Sequence, residues 1–214
     1  MSAPREPSVD TLNLDLTVDV AKVTITFESL EGELQFPEII LNASASARVG
    51  IFSSSDFLER YMPVWDTETE GNVLTVTATQ KTDGFIWPLH SSLNVTFNIV
   101  IDPLMNTSLN INAVAGGIIL KTQAGVVLNS LNLKATTGGV EAHLTESVVA
   151  ADVSIKTTTG GVRLSWDNVI VASSVKVNVT TTTGGLDISV EQLEKLDGNV
   201  ALKGEAVTGG VALL

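Results

Sequence analysis

The sequence predicts an all-β protein whose second half is a stacked solenoid, and three observations support this. Apolar and polar side chains alternate over several stretches, which is the period of a β-strand. A Gly-Gly pair recurs in the second half at intervals of 22, 22, 24 and 25 residues. Charged residues make up only 17% of the chain, and Thr, Ser, Asn, Gly and Val fill the difference, as is typical of strands and turns. A period in the twenties is typical of a solenoid.

The first strands are predicted between residues 10 and 30. Apolar residues there occupy even positions from Leu12 to Val20 and odd positions from Val23 to Phe27. Such a change of parity predicts a tight turn or a bulge near Ala21 and Lys22. Further elements of the first half are predicted as strands at Leu34–Leu41, Val73–Thr79 and Leu93–Ile101, a turn at Asp83-Gly84, and a short helical turn over Asp56–Trp65 that carries Phe57, Tyr61 and Trp65.

The repeats of the second half show the same change of parity at each Gly-Gly pair. Leu131 and Leu133 precede Gly138-Gly139 at odd positions, whereas Val140 follows it at an even position. Apolar side chains therefore face inward on both sides of each pair, as they do at a corner where glycine adopts positive φ and lets successive layers stack closely. We predict a parallel β-helix or a closely related stacked β-roll. Threonines aligned between repeats are expected to form ladders, namely Thr136/Thr137, Thr157 to Thr159 and Thr180 to Thr183.

Three regions follow from these patterns. Residues 1–8 are predicted to be a flexible leader, 9–108 an N-terminal β-strand region, and 109–214 the repeat solenoid. The N-terminal strands are expected either to add layers to the solenoid or to form an antiparallel capping sheet. Since Leu214 falls within a repeat, we expect either native sequence beyond it or self-association through the C-terminal end.

Composition excludes several classes of function. The chain has 24 acidic and 12 basic residues and a net charge of −12, so we expect no nucleic-acid partner, because a phosphate backbone requires a basic surface. The chain has no cysteine, which excludes disulfides, thiol catalysis and Cys-based zinc sites. No signal peptide or membrane-length apolar run is visible in this chain.

The residues suited to chemistry are few and scattered. His143 alternates with inward Ala142 and Leu144 and is predicted to be a surface histidine; His90 is the only other histidine. Polysaccharide hydrolysis requires two carboxylates across a groove. The outward acids of the repeats, Glu141, Glu146 and Asp187, and the outward cation Arg163 are predicted not to share a column. We therefore predict no catalytic, cofactor-binding or metal-binding residues and no cofactor.

Other exposed features are given structural interpretations. The apolar tract Phe85–Leu89 is predicted to cap one end of the solenoid rather than to bind a partner or membrane. Asp15 and Asp19 are predicted to lie on a solvated strand face rather than in a Ca²⁺ site. Sequons begin at Asn42, Asn94, Asn106 and Asn178, and Asn94 and Asn178 are expected on outward positions open to modification.

The four repeats KATTGGVEAHL, KTTTGGVRLSW, TTTTGGLDISV and EAVTGGVALL, with weaker forms AVAGGIIL and KTQAGVVL upstream, resemble the putative-adhesin family of prokaryotic β-strand-repeat domains. The resemblance covers about half the chain. It implies a right-handed stacked-strand fold and an extracytoplasmic, non-enzymatic role.

The function predicted on these grounds is a structural or adhesive module at the cell surface or outside the cell. Its partner would be a surface glycan or a protein. Two alternatives remain open: a cytoplasmic scaffold that assembles with itself, and a polysaccharide-active β-helix enzyme.

Overall fold

The computed structural model of the chain describes residues 2–4, 9–29, 38–48, 61–80, 92–171, 173–193 and 196–214. Within these ranges the regular structure is entirely β, in eighteen strands, which confirms the predicted all-β class. No helix among these residues is long and apolar enough to cross a membrane.

The strands form two mixed sheets, which we name sheet A and sheet B. Sheet A has nine strands in the order β1 (Ser2–Pro4), β4 (Glu38–Arg48), β7 (Ser92–Ile101), β3 (Lys22–Phe27), β9 (Ile118–Lys121), β11 (Val140–Thr145), β14 (Val162–Asp167), β16 (Leu186–Glu191) and β18 (Val211–Leu213). Sheet B has the order β17 (Val200–Thr208), β15 (Val175–Thr183), β13 (Val153–Thr159), β10 (Val127–Thr137), β8 (Asn106–Ala115), β2 (Thr11–Val20), β6 (Val73–Gln80) and β5 (Val64–Glu70), with the two-residue β12 (Val148–Val149) also paired to β10.

The sequence repeat sets the register between neighbouring strands. Each repeat unit contributes one strand to sheet B and, after its Gly-Gly corner, the next strand to sheet A. Equivalent residues of successive units then pair in parallel, as Leu133 pairs with Ile155 and Ile155 with Val179. The predicted threonine ladder is confirmed by the register of Thr137, Thr159, Thr183 and Thr208.

The alternation of apolar residues produces one continuous core. Leu12, Leu14 and Leu16 are buried from sheet B, and Val23 and Ile25 are buried from sheet A after the parity change. The same buried cluster continues through the repeats as far as Leu186 and Ile188. Ala21 separates β2 from β3, as the parity change predicts, and takes the place of a corner glycine beside Gly116.

The two glycines of each corner differ: the predicted positive φ is found at the first and not at the second, which corrects the expectation for Gly139 and Gly161. The first has φ of +133° at Gly138 and +138° at Gly160, whereas Gly139 and Gly161 are not in the left-handed region. A Cβ on Gly160 would lie 2.2 Å from the carbonyl oxygen of Gly138, whereas one on Gly161 would lie 3.2 Å from that of Gly185. Backbone conformation and close stacking therefore require glycine at the first position of each pair.

The N-terminal strands pair in both parallel and antiparallel directions. β2 and β3 pair in parallel with β8 and β9 of the first repeat unit, and on their other side with β6 and β7. β4 pairs antiparallel with β7 and, on its other side, with β1, the edge strand of sheet A; β5 pairs antiparallel with β6 at the edge of sheet B. The order along the stack therefore differs from the order in sequence, because β2 and β3 lie between strands that follow them.

Several first-half predictions are revised. The strands over Val73–Thr79 and Leu93–Ile101 are confirmed as β6 and β7. The helical turn predicted up to Trp65 is wrong at its end, where Val64 and Trp65 begin β5, a strand that was not predicted. Of the strand predicted over Leu34–Leu41, the described part belongs to β4, which continues to Arg48. The turn at Asp83-Gly84, the tract Phe85–Leu89 and His90 lie outside the described residues.

Candidate functional site

A groove on the outer face of sheet A is the candidate site. It runs across the strands beside the corners and has a volume of about 490 Å³. The second glycines of successive pairs line it, namely Gly117, Gly139, Gly161 and Gly185. Because these residues have no side chains, a ligand in the groove can approach the backbone closely. We call it the glycine groove.

Three of the four charged residues that line the groove lie in register on neighbouring strands. Glu141 pairs in register with Arg163, and Arg163 pairs with Asp187. These three residues therefore do share a column, which corrects the prediction that they would not. We call Glu141, Arg163 and Asp187 the charged column, and Lys22 also lines the groove.

The alignment of the charged column could have been predicted from the sequence. Glu141, Arg163 and Asp187 are each the second residue after a Gly-Gly pair. Because the corners stack in register, residues at a fixed distance from them must also align. The alternation of apolar and polar residues shows only which face each residue occupies. The column follows only when each residue's distance from its Gly-Gly pair is also compared.

The charged column alternates in sign and is internally paired. Nε of Arg163 donates to Oδ2 of Asp187 at 3.3 Å, and its NH1 nitrogen lies 3.9 Å from Oε1 of Glu141. The Arg163 side chain is 61% exposed, so its remaining donors are available to a ligand. An exposed guanidinium flanked by two carboxylates presents donors and acceptors side by side along the groove.

His143 lies beside the charged column, on the same strand as Glu141. It lies on the outer face, as predicted, and its Nε2 is 2.8 Å from Oε1 of Glu141. This hydrogen bond is the largest cause of a pKa of Glu141 below its ordinary value of 4.5, and the positive charges of Arg163 and Lys121 act in the same direction. Glu141 is therefore held as a carboxylate.

The other residues singled out from the sequence lie away from this group. Glu146 is exposed at the opposite corner, at the left-handed φ of +45°. Asp15 is exposed on the outer face of sheet B, as predicted, and accepts a hydrogen bond from Asn110, which in turn accepts one from Asn132. Asn94 and Asn178 are exposed, also as predicted. Among the described residues, no group of three or more acidic or histidine side chains is placed to hold a metal ion.

Comparison with known proteins gives a likeness in structure alone. No family model and no curated protein matches the chain. A putative cell adhesion protein from Clostridium sporogenes is similar over 100% of this chain and 97% of its own, with a TM-score of 0.58 and 15% identity. This similarity shows a shared fold.

Two further solved structures resemble the chain more distantly. A putative adhesin from Bacteroides fragilis has a TM-score of 0.33 and 12% identity over 100% of this chain and 97% of its own. A putative lipid binding protein from Parabacteroides distasonis has a TM-score of 0.26 and 12% identity over 99% of this chain and 95% of its own.

Proposed function

We propose that this chain is a non-enzymatic adhesive module at a cell surface, built as a right-handed parallel β-helix. Its ligand is an extended surface glycan that lies along the glycine groove. The single observation that carries this proposal is the exposed groove in which the charged column stands beside a floor of glycine backbone.

The chemistry of the groove suits sugar hydroxyl groups. The carboxylates of Glu141 and Asp187 accept hydrogen bonds, and the guanidinium of Arg163 donates several in a fixed geometry. Neighbouring strands are about 4.8 Å apart, so these groups recur regularly along the groove. A linear polymer can meet such a series over several units, whereas a small solute meets only one part of it.

The same geometry favours binding over hydrolysis. A glycosidase needs a general acid, and that role requires a carboxyl group with a raised pKa. The pKa of Glu141 is lowered by His143, and Arg163 stands between Glu141 and Asp187 in the register. A carboxylate held in its charged form accepts hydrogen bonds well but donates no proton at neutral pH.

The adhesive role also has support from the similar fold. The Clostridium sporogenes protein is named as a putative cell adhesion protein, and the TTGGV-type repeats of this chain resemble those of an extracytoplasmic family. A rigid stack with a polar outer surface displays its ligand groups in a fixed arrangement, which suits attachment to a repetitive surface.

A panel of neutral and anionic polysaccharides immobilised on a biosensor tests the proposal. At least one member is expected to bind, and Arg163→Ala is expected to weaken that binding about tenfold or more, because a charge-assisted hydrogen bond contributes about 1.5–3 kcal/mol. Lys156→Ala, on the outer face of sheet B, is the matched control and should bind as the parent does. Binding that Arg163→Ala leaves unchanged, or release of reducing sugar or unsaturated uronate by the protein, contradicts the proposal.

A further inference from the structure

We infer that β17 and β18 pair with the same two strands of a second copy of this chain, about a two-fold axis that passes between the two Gly204 residues and between the two Ala212 residues. This inference goes beyond the proposed function and does not depend on it.

The surface concerned is formed by the outermost strands at one end of the stack. β17 is the edge strand of sheet B and β18 the edge strand of sheet A among the described residues. Val207 is 73% exposed and Leu213 is 64% exposed. Such an edge presents unpaired backbone groups beside apolar side chains, and this combination favours pairing with another strand.

The opposite end of sheet B is different. Its edge strand, β5, carries Asp66, Glu68 and Glu70, all exposed. Closely spaced acidic side chains on an edge repel another strand of the same kind. A contact between copies is therefore favoured at β17 and β18 and disfavoured at β5.

The direction of the backbone groups fixes which residues can pair. The carbonyl of Asn199 accepts from the amide of Val175 at 2.8 Å, so it faces β15. Successive residues of a strand direct these groups to opposite sides. Gly204, five residues on, therefore directs its N–H and C=O away from β15, where Gly204 of a second copy can exchange two hydrogen bonds with it.

The same parity holds in sheet A. Leu214 donates to the carbonyl of Ile188 at 2.9 Å and accepts from the amide of Val190 at 3.0 Å, so it faces β16. Ala212 faces β16 as well, and Val211 and Leu213 direct their backbone groups outward. An antiparallel pair centred on Ala212 therefore places Val211 opposite Leu213 of the second copy, with hydrogen bonds in both directions.

Side-chain charge agrees with this centre. Antiparallel pairing about Gly204 places Lys203 opposite Glu205 of the second copy, and Glu205 opposite Lys203 of that copy. Both side chains are exposed, and within one chain their Nζ and Oε2 atoms are 3.0 Å apart. The charges of β17 are therefore complementary to those of the same strand in the second copy. The same pairing places Ala201 opposite Val207 of the second copy, on the outer face.

One axis serves both sheets. A Cβ on Gly204 would lie 3.2 Å from the Ile188 side chain and 3.7 Å from that of Val211. Ile188 pairs with Leu213 in register, so Gly204 lies across the core from the middle of β18. A two-fold axis at the outer side of Gly204 therefore passes near the outer side of Ala212. Such an interface is the same on both copies and closes as a dimer.

Light scattering over a concentration series tests the inference by charge reversal. The parent is expected to reach twice its 22.5 kDa mass. Lys203→Glu and Glu205→Lys are each expected to raise the dimer dissociation constant about tenfold, because like charges then face each other twice. An equimolar mixture of the two variants restores complementarity and should dimerise again. Lys156→Glu changes the net charge equally away from the edge and should behave as the parent.

Oxidative crosslinking tests the position of the axis. The chain has no cysteine, and residues facing each other across a non-hydrogen-bonded pair have Cα atoms about 4.5 Å apart, within disulfide range. Ala212→Cys should therefore form a covalent dimer, whereas Ala201→Cys, which faces Val207 of the second copy, should not. A parent that stays monomeric at all concentrations overturns the inference. A dimer that neither charge reversal weakens also overturns it. The same holds if both cysteine variants crosslink equally, or if the protein grows into filaments.

Discussion

Gly160 and Gly161 are neighbours at one corner, but only Gly160 needs positive φ. Its Cβ position is filled by the backbone oxygen of Gly138, which is fixed by the ladder of the preceding unit. The sequence shows the pair and its period, so a corner could be predicted. The sequence does not show which of the two glycines takes the left-handed conformation, because the alternating apolar pattern on either side of the pair is compatible with either one.

This difference leads to a paired stability prediction. Gly160→Ala is expected to lower the free energy of unfolding by about 3 kcal/mol or more, because positive φ and a backbone clash add together. Gly161→Ala, where the nearest atom is 3.2 Å away, should cost about 1 kcal/mol or less. Urea titration monitored by tryptophan fluorescence measures both. Equal losses for the two variants would show that the corner has another geometry.

The contact between Glu141 and His143 leads to a prediction about the pKa of Glu141. The folded-state pKa of Glu141 lies below its ordinary value of 4.5, chiefly through the hydrogen bond from His143. A lowered carboxyl pKa contributes stability that is present above the ordinary value and is lost as the pH falls through the folded value. His143→Ala is therefore expected to raise the pKa of Glu141 toward 4.5.

Carboxyl-carbon NMR titration of Glu141 measures this shift. Ser165→Ala is the control, since Ser165 pairs with His143 in register on the next strand and is not a cause of the lowered value. A Glu141 pKa that does not change in His143→Ala would mean that another group holds the carboxylate.

Neighbouring strands are joined at the corner by more than their ladder. The hydroxyls of Thr157 in β13 and Thr181 in β15 both donate to the carbonyl of Gly160, at 2.9 Å each. Both threonines are buried. The threonine repeat was visible in the sequence, and the ladder could be predicted from it. The inward position of Thr157 and Thr181 could not, because runs of three and four successive threonines hide the alternation.

A double-mutant cycle tests how far these two hydroxyls substitute for each other. Thr157→Val and Thr181→Val should each cost about 1 kcal/mol, because the carbonyl keeps one donor. The double variant should cost about 1 kcal/mol more than the sum, since Gly160 then loses both donors. Thr159→Val, at an exposed position of β13, is the control and should have little effect. Simple additivity would show that the two hydrogen bonds act independently.

At the scale of the whole molecule, the order of the stack could not be predicted from sequence. β2 and β3 alternate in the same way as every other strand, so nothing local indicates that they lie between β6–β7 and β8–β9. Strand pairing over such distances in sequence is decided by the fit of whole faces rather than by local pattern. The charged column, in contrast, follows directly from the repeat once the corners are aligned.

This order makes the first strands central to the stack, and truncation tests that position. A chain that begins at residue 30 loses the three-residue edge strand β1 together with β2 and β3, which pair on both sides in the two sheets. The loss of β2 and β3 exposes the buried side chains of the strands on either side of them, so we expect this variant to show no cooperative thermal transition. A chain that ends at residue 191 loses only β17 and β18, which pair on one side, and should still melt cooperatively at a moderately lower temperature. The two truncations remove similar numbers of residues, so a difference between them reports on position in the stack. Circular dichroism during heating distinguishes the outcomes, and a cooperative transition in the chain without residues 1–29 would show that β6–β7 can pair directly with β8–β9.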